Sequence, residues 1–202
     1  MIKIGILAST RATDSQAIID SINAKKLDAK ISIILSNKID SYALERARIH
    51  GITAVFIDSA GKSREAFDVE VAAQLDKYEV NLILLIGYLR ILSPWFVSKY
   101  MNRTMNVHPS LLPAFSGGMD RGVHKEVIEY GCKVSGCTLH FVDESVDGGP
   151  IILQKAVKIN ENETIDSLRD KVQKAEQEIV LKGIDLFSRG MLDIKGRRVI
   201  IK

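Results

Sequence analysis

Short aliphatic runs alternate with helical patterns in the first half of the chain, and this alternation constrains the fold more than any other feature. The run at 82–86 is continuously aliphatic, which is typical of a central strand buried on both faces. Repeated strand–helix–strand units predict a mainly parallel sheet. The predicted strands lie at 3–8, 29–35, 54–58 and 82–86, and the predicted helices at 15–23, 42–50 and 63–77, the last capped by Ser63.

The second half predicts two strands, at 134–142 and 151–159, which are joined through a turn at Asp147. A long helix follows at about 164–189, and the tail at 191–202 adds an edge strand. The predicted fold class is therefore α/β, a single domain over 1–202 with a mainly parallel twisted sheet flanked by helices. Ligands of such sheets gather at the carboxyl ends of the strands.

Size and charge exclude several classes of function. With 202 residues the chain is long enough for one well-buried core without metals or disulfides. A net charge of +3 does not argue for nucleic acid, and no apolar run approaches the length of a membrane span. The chain enters a strand pattern at once, without a signal peptide, and Cys132 and Cys137 have neither zinc nor redox spacing. We expect a cytoplasmic protein without a metal.

Three polar residues suggest a site for nucleophilic attack on a carbonyl carbon. Asn106 and His108 are two apart, so on an extended segment both side chains share one face, and Pro109 ends that segment. Asp147 precedes two glycines that permit a tight turn. Together they supply a hydrogen-bond donor, a proton carrier and an acid. Asp147 could equally be the acceptor of an Asx turn.

Other histidines and two loops have competing interpretations. His50, His124 and His140 are interpreted as structural. The loop at 9–14 is either a phosphate cradle or a simple helix cap. In the loop at 87–92, the apolar side chains either wall a flat heterocycle or pack the next helix.

Several strings resemble the phosphoribosylglycinamide formyltransferase family. They occur in the family's order over essentially the whole chain, and they include Gly-Tyr-Leu-Arg-Ile-Leu-Ser-Pro at 87–94, Asn-Val-His-Pro-Ser-Leu-Leu-Pro at 106–113, and the stretch from His-Phe-Val at 140–142 to Asp-Gly-Gly-Pro at 147–150. Shorter matches lie at 36–38, 44–48 and 63–68. The 106–113 string belongs to the wider formyltransferase superfamily, so the resemblance implies the formyltransferase fold.

The resemblance implies transfer of a formyl group from 10-formyltetrahydrofolate, a cosubstrate, to the amino group of glycinamide ribonucleotide. Asn106 and His108 would stabilise the oxyanion of the tetrahedral intermediate. Asp147 would set the protonation state of His108 and relay protons. The half at about 1–100 would bind nucleotide and the half at about 101–202 would bind folate and carry catalysis. Ribonucleotide contacts are expected from Arg11, Ala12, Thr13, Asp14, Gly87, Pro109 and Glu176. Folate contacts are expected from Arg64, Leu89, Arg90, Ile91, Leu92, Val142, Asp143 and Glu144.

Two stretches depart from the family pattern. Many members have Gly-x-Gly-Ser-Asn where this chain has Thr-Arg-Ala-Thr-Asp at 10–14, so Ala12 lacks glycine's freedom and Asp14 adds a carboxylate. Arg11 is expected to compensate. The glycine-rich stretch at 116–124 is interpreted as either a flap or a surface variant, and we favour the surface variant.

Four other functions remain as alternatives. A 10-formyltetrahydrofolate hydrolase would carry an additional N-terminal domain, and a methionyl-tRNA formyltransferase an additional C-terminal one; the chain's length argues against both. The others are a formyltransferase acting on a different amine and a non-catalytic folate-binding module. The expected partners are small molecules only, with neither nucleic acid nor membrane, and the chain is expected to be a monomer or a homodimer.

Overall fold

Parallel strand pairing organises the first of two units into which the chain divides. The computed structural model describes residues 1–118 and 121–202, and the units are Met1–Met105 and Asn106–Lys202. The elements of the first unit are β1 (Ile2–Leu7), α1 (Asp14–Asn23), β2 (Ala29–Ser36), α2 (Tyr42–Ile49), β3 (Thr53–Phe56), α3 (Arg64–Lys77), β4 (Leu82–Leu85) and α4 (Pro94–Lys99). Strand β5 (Thr104–His108) leads into the second unit.

The strands of the first unit lie in the order β3-β2-β1-β4, and each neighbouring pair is parallel. All of β4 is buried, and its residues pair with β1 from Ile4↔Leu82 to Leu7↔Leu85. The aliphatic run at 82–86 thus has the two-sided burial that its composition predicts. The predicted α/β class, with a mixed, mostly parallel sheet flanked by helices, is confirmed.

Serine hydroxyls start three helices of this unit. The Oγ of Ser63 accepts the N–H of Ala66 at 3.1 Å, and the Oγ of Ser41 accepts the N–H of Ala43 at 3.3 Å. Ser93 does the same for α4, a helix whose bounds the sequence patterns did not give. Thr13, by contrast, precedes α1 without a capping bond from its side chain.

The second unit combines antiparallel and parallel pairing. It contains α5 (Arg121–Glu129), β6 (Val134–Phe141), β7 (Ile151–Lys158), α6 (Ile165–Ser188), β8 (Leu192–Lys195) and β9 (Arg198–Ile201). Strands β6 and β7 are antiparallel, and the sheet order is β6-β7-β9-β8. The tail predicted as one edge strand is a hairpin, because Gly196 turns the chain in the left-handed region at φ 60°.

Helix α6 packs on β6, β7 and α5, and it begins with a capping box between Thr164 and Ser167.

Among the described residues, no helix is both long and apolar enough to cross a membrane. The single-domain organisation stays a prediction.

A buried carboxylate connects α3 to the start of α4. Asp68 is 1% exposed, and its Oδ2 accepts the backbone N–H of Ser93 at 2.6 Å. Burial raises the pKa of Asp68, and this effect outweighs the hydrogen bonds from Ser93 and the attraction of Arg90 and Arg64. The contribution of Asp68 to stability is therefore largest at low pH and falls as the pH rises through the raised pKa.

Replacing this carboxyl tests the sign of that linkage. Asp68→Asn keeps an acceptor for the Ser93 N–H but cannot ionise, so its stability relative to wild type should improve as the pH rises above about 4, the ordinary pKa of an aspartate. Urea unfolding in a series of buffers measures the difference. Asp68→Ala should follow the same pH trend but lie lower by about 1–3 kcal/mol, because the Ser93 N–H loses its acceptor. A pH-independent difference for Asp68→Asn would contradict the assignment.

Candidate functional site

Strand β5 brings Asn106 and His108 to one carboxylate. The Nδ2 of Asn106 lies 3.3 Å from Asp147 Oδ1, and the Nδ1 of His108 lies 3.3 Å from Asp147 Oδ2. Alternate residues of a strand share a face, so the two-residue spacing predicts this convergence. The three polar residues singled out in the sequence therefore meet in the second unit.

The Asp147 side chain lies in the turn between β6 and β7 and is only 12% exposed. Its Oδ2 also accepts the backbone N–H of Gly117 at 2.8 Å. Asp147 itself has φ +52°, a left-handed conformation in which aspartate is one of the more tolerated residues. A largely desolvated carboxylate is stable only when hydrogen bonds or counter-charges compensate its lost hydration, and here donors reach both oxygens.

Both ring nitrogens of His108 face oxygen atoms. Nε2 is 2.9 Å from the carbonyl oxygen of Phe115, and Nδ1 faces Asp147. Since a carbonyl and a carboxylate both accept hydrogen bonds, this environment suits a ring that carries hydrogen on both nitrogens. His108 is 3% exposed, so its charge in that form would be balanced by Asp147 beside it.

Two contacts of this site were missed by sequence reasoning. His140 was interpreted as structural, yet its Nε2 lies 3.1 Å from Asn106 Nδ2. Its place at the carboxyl end of a predicted strand, just before the Asp147 turn, was the available signal. The second is Gly117, which was interpreted as part of a surface variant but contacts Asp147 through its N–H. Met119 and Asp120 of the 116–124 stretch lie outside the described residues.

In the first unit, the loop at 9–14 packs against the loop at 87–92. The Ser9 N–H donates to the Gly87 carbonyl at 3.0 Å, and the Leu89 N–H donates to Ser9 Oγ at 2.9 Å. Gly87 has φ +59°, and a Cβ there would overlap the Thr10 hydroxyl. The two loops at the carboxyl ends of β1 and β4 are thus neighbours, as the parallel sheet predicts.

The stretch at 10–14, which departs from the family pattern, has a distinct local structure. Ala12 takes φ +44°, although it is not glycine, and it is buried. Thr13 precedes α1, and the buried Asp14 is the first residue of that helix, where a carboxylate matches the positive end of the helix dipole. The Arg11 guanidinium lies 5.2 Å from the centroid of the Tyr42 ring, and so does that of Arg46.

The residues predicted to hold folate in the first unit differ in exposure. Leu89 is 44% exposed and Ile91 53%, whereas Leu92 is buried. Leu92 therefore packs the core, and the other two remain accessible to a ligand. The guanidinium of Arg90 lies 4.3 Å from the Phe67 ring centroid, and Arg64 opens α3.

The remaining predicted residues lie in the second unit. Pro109 follows β5 and is half-buried, and the half-buried Glu176 lies on α6. Val142, Asp143 and Glu144 follow β6, and the Asp143 carboxylate accepts the Ser145 N–H at 2.9 Å. Among the described residues, no group of three or more His, Cys, Asp or Glu side chains could hold a metal ion.

The turn that carries Asp147 depends on Gly149. A Cβ at this position would overlap the Phe141 carbonyl oxygen, so Gly149→Ala should displace the turn and lower the unfolding free energy by about 1–3 kcal/mol. Urea unfolding measures the loss, and exchange of the Gly117 amide hydrogen should accelerate as its bond to Asp147 weakens.

Gly122→Ala is the matched control. A Cβ at Gly122 meets no atom of the described residues within 4 Å, and alanine favours the helix by up to about 1 kcal/mol. Wild-type stability and unchanged Gly117 exchange in Gly149→Ala would show that the turn tolerates a side chain.

Comparison with known proteins adds independent information. Residues 2–184 match the formyl transferase family. The chain is 40% identical over 188 residues to a phosphoribosylglycinamide formyltransferase of Escherichia coli (strain K12), covering 93% of this chain and 87% of that protein. It is 36% identical over 193 residues to the trifunctional purine biosynthetic protein adenosine-3 of Homo sapiens, covering 95% of this chain but only 19% of that protein.

A solved structure agrees with these relatives. The crystal structure of glycinamide ribonucleotide transformylase 1 from Symbiobacterium toebii superposes with a TM-score of 0.94 at 42% identity, covering 100% of this chain and 94% of that one.

Proposed function

Because this chain belongs to the formyl transferase family and transfers a formyl group to glycinamide ribonucleotide in purine biosynthesis, we propose that 10-formyltetrahydrofolate is its formyl donor. We further propose that Asn106, His108 and Asp147 carry the transfer. The observation that supports this assignment is the convergence of an amide, an imidazole and a carboxylate that is only 12% exposed, all in the second unit.

The reaction requires stabilisation of negative charge and movement of one proton. The acceptor amine attacks the formyl carbon, a new C–N bond forms, and the bond from that carbon to the folate nitrogen breaks. The amine loses a proton and the folate nitrogen gains one. Between these events the formyl oxygen carries negative charge, which hydrogen-bond donors stabilise most effectively when they are already oriented.

Asn106 and His108 would supply those donors. The His108 Nε2–H, which donates to the Phe115 carbonyl in this structure, would turn to the formyl oxygen, and the amide of Asn106 would donate beside it. Asp147 would hold His108 through Nδ1 and stabilise its charged form. Asp147 would also accept and return the transferred proton through water. A neutral amine needs no activated serine or cysteine, so these groups suffice.

In the first unit, the loop of Arg11, Ala12, Thr13 and Asp14 would bind the ribonucleotide phosphate, with Gly87 beside it. The first backbone N–H groups of a helix attract anions. The Thr13 side chain makes no capping bond to α1, although the N–H groups of Ser15 and Gln16 already donate to the carbonyls of Ala12 and Thr13 at 3.0 and 3.1 Å. Arg11 adds a charge that glycine-rich loops lack. In the second unit, Pro109 and Glu176 would contact the ribonucleotide, Glu176 through the ribose hydroxyls.

Apolar and charged side chains of each unit would hold the folate. The exposed Leu89 and Ile91 offer apolar surface for the pterin, and the buried Leu92 would complete this apolar segment. Arg64 and Arg90 would meet the carboxylates of the folate glutamate. The stretch of Val142, Asp143 and Glu144 would contact the pterin from the second unit.

We also propose that the chain acts in the cytoplasm on small molecules, as a monomer or a homodimer. Among the described residues, neither Cys132 nor Cys137 forms a disulfide, which fits a reducing compartment.

Acceptor dependence of donor consumption tests the proposed donor and the catalytic residues. Wild type should consume 10-formyltetrahydrofolate only when glycinamide ribonucleotide is present, as followed by absorbance. His108→Ala should slow turnover by about 100- to 1,000-fold, because a donor to the oxyanion is lost. His50→Ala, at an exposed histidine, should behave as wild type. Consumption without acceptor would indicate the hydrolase, and donor binding without turnover the folate-binding module.

Arg11 provides a separate test of the phosphate site. If its guanidinium binds the ribonucleotide phosphate, Arg11→Ala should raise KM for the ribonucleotide about 10- to 100-fold with little change in kcat, since a charge-assisted hydrogen bond contributes about 1.5–3 kcal/mol. Arg48→Ala, at an exposed arginine beside Glu45, should leave KM unchanged. An unaltered KM in Arg11→Ala would place the phosphate elsewhere.

A further inference from the structure

We propose that His140 is a positioning residue for Asn106, which it orients by accepting an amide hydrogen as a neutral imidazole. This inference rests on the proposed role of Asn106 as an oxyanion donor and adds a residue that acts through it.

The surroundings of His140 decide which of its ring nitrogens carries the hydrogen. The residue is 2% exposed, and its Nδ1 lies 2.8 Å from the carbonyl oxygen of Phe141. A carbonyl oxygen only accepts hydrogen bonds, so Nδ1 carries the ring hydrogen. Burial lowers the pKa of His140 and favours its uncharged form. Nε2 is then a lone pair and can only accept.

The accepting nitrogen of His140 fixes the orientation of the Asn106 amide. Because His140 Nε2 accepts, the atom 3.1 Å from it must be the amide nitrogen of Asn106 rather than its oxygen. One hydrogen of Nδ2 is thus directed to His140, and the other lies on the side of Asp147 Oδ1, 3.3 Å away. The second hydrogen, held in the longer contact, is the one free to move to a substrate oxygen near His108.

The two histidines around Asp147 differ in their distance from its carboxylate and in their other partners. His108 Nδ1 lies 3.3 Å from the carboxylate, whereas His140 Nε2 lies 3.8 Å from it, beyond hydrogen-bond distance. His108 therefore meets acceptors at both nitrogens, and His140 meets an acceptor at one and a donor at the other. A proton on His140 Nε2 would face the Asn106 Nδ2, and two donors in contact would force the amide to turn over.

The test is a double-mutant cycle with Asn106. His140→Leu removes the acceptor, and we expect kcat to fall by about 10- to 100-fold with KM for both substrates nearly unchanged, as is typical for residues that orient a functional group. His140→Gln places an oxygen acceptor near the position of Nε2 and should recover most of the loss. In an Asn106→Ala background, His140→Leu should have almost no further effect, because the group it orients is gone.

Controls separate this inference from the proposed function and from simple instability. Cys137→Ala, at a fully buried residue of the same strand, should leave kcat unchanged, and thermal unfolding of each variant reports folding. If Asn106→Ala alone leaves kcat intact, the proposed role of Asn106 fails. If Asn106→Ala slows turnover but His140→Leu adds its full effect on top, or His140→Gln is no better than His140→Leu, the positioning role is overturned.

A measurement independent of activity checks the tautomer. ¹⁵N NMR of the histidine side chains at neutral pH should show His140 as the neutral form with hydrogen on Nδ1. A signal from hydrogen on Nε2 would overturn the inference even if turnover falls in every variant.

Discussion

The carboxylate of Asp147 is the group on which the arrangement of the second unit's polar residues depends. At 12% exposure it has lost most of its hydration, and a charge in that position is tolerated only if donors surround it. Asn106 and Gly117 donate to it, and His108 faces it from a third direction. Because one carboxylate has two oxygens in a fixed plane, these partners are held in definite relative positions. The turn that presents it requires Gly149, whose missing side chain lets the chain pass close to Phe141.

Two histidines beside this carboxylate have opposite hydrogen-bonding roles, although the amino acid is the same. The difference comes from what faces each ring: two oxygen acceptors for His108, one acceptor and one amide donor for His140. Environment thus decides whether an imidazole acts as a proton carrier or as a fixed acceptor. Burial reinforces the second role, because it lowers the pKa of His140.

In the first unit, the stretch at 10–14, which contains no glycine, is held by hydrogen bonds to its neighbours. Ala12 at φ +44° is strained by roughly 1–2 kcal/mol relative to glycine. Its carbonyl accepts both the N–H of Ser15 at 3.0 Å and the hydroxyl of Ser15 at 2.6 Å, and Ser41 Oγ donates to the Thr10 carbonyl at 2.6 Å. These hydrogen bonds fix the backbone of the loop, and they compensate the strain of the left-handed conformation at Ala12.

The sequence predicted the parallel sheet of the first unit, the Ser63 cap of α3 and the shared face of Asn106 and His108, because each follows from local sequence patterns. The bounds of the short helix α4 were not predicted, since six residues carry too little periodicity. Tertiary structure alone decided which groups surround Asp147. Gly117 is 30 residues away and donates through its backbone, which has no signature in the sequence, and the role of His140 follows from Asn106, 34 residues distant. Contacts at such separations arise only when the strands and turns of the second unit have packed.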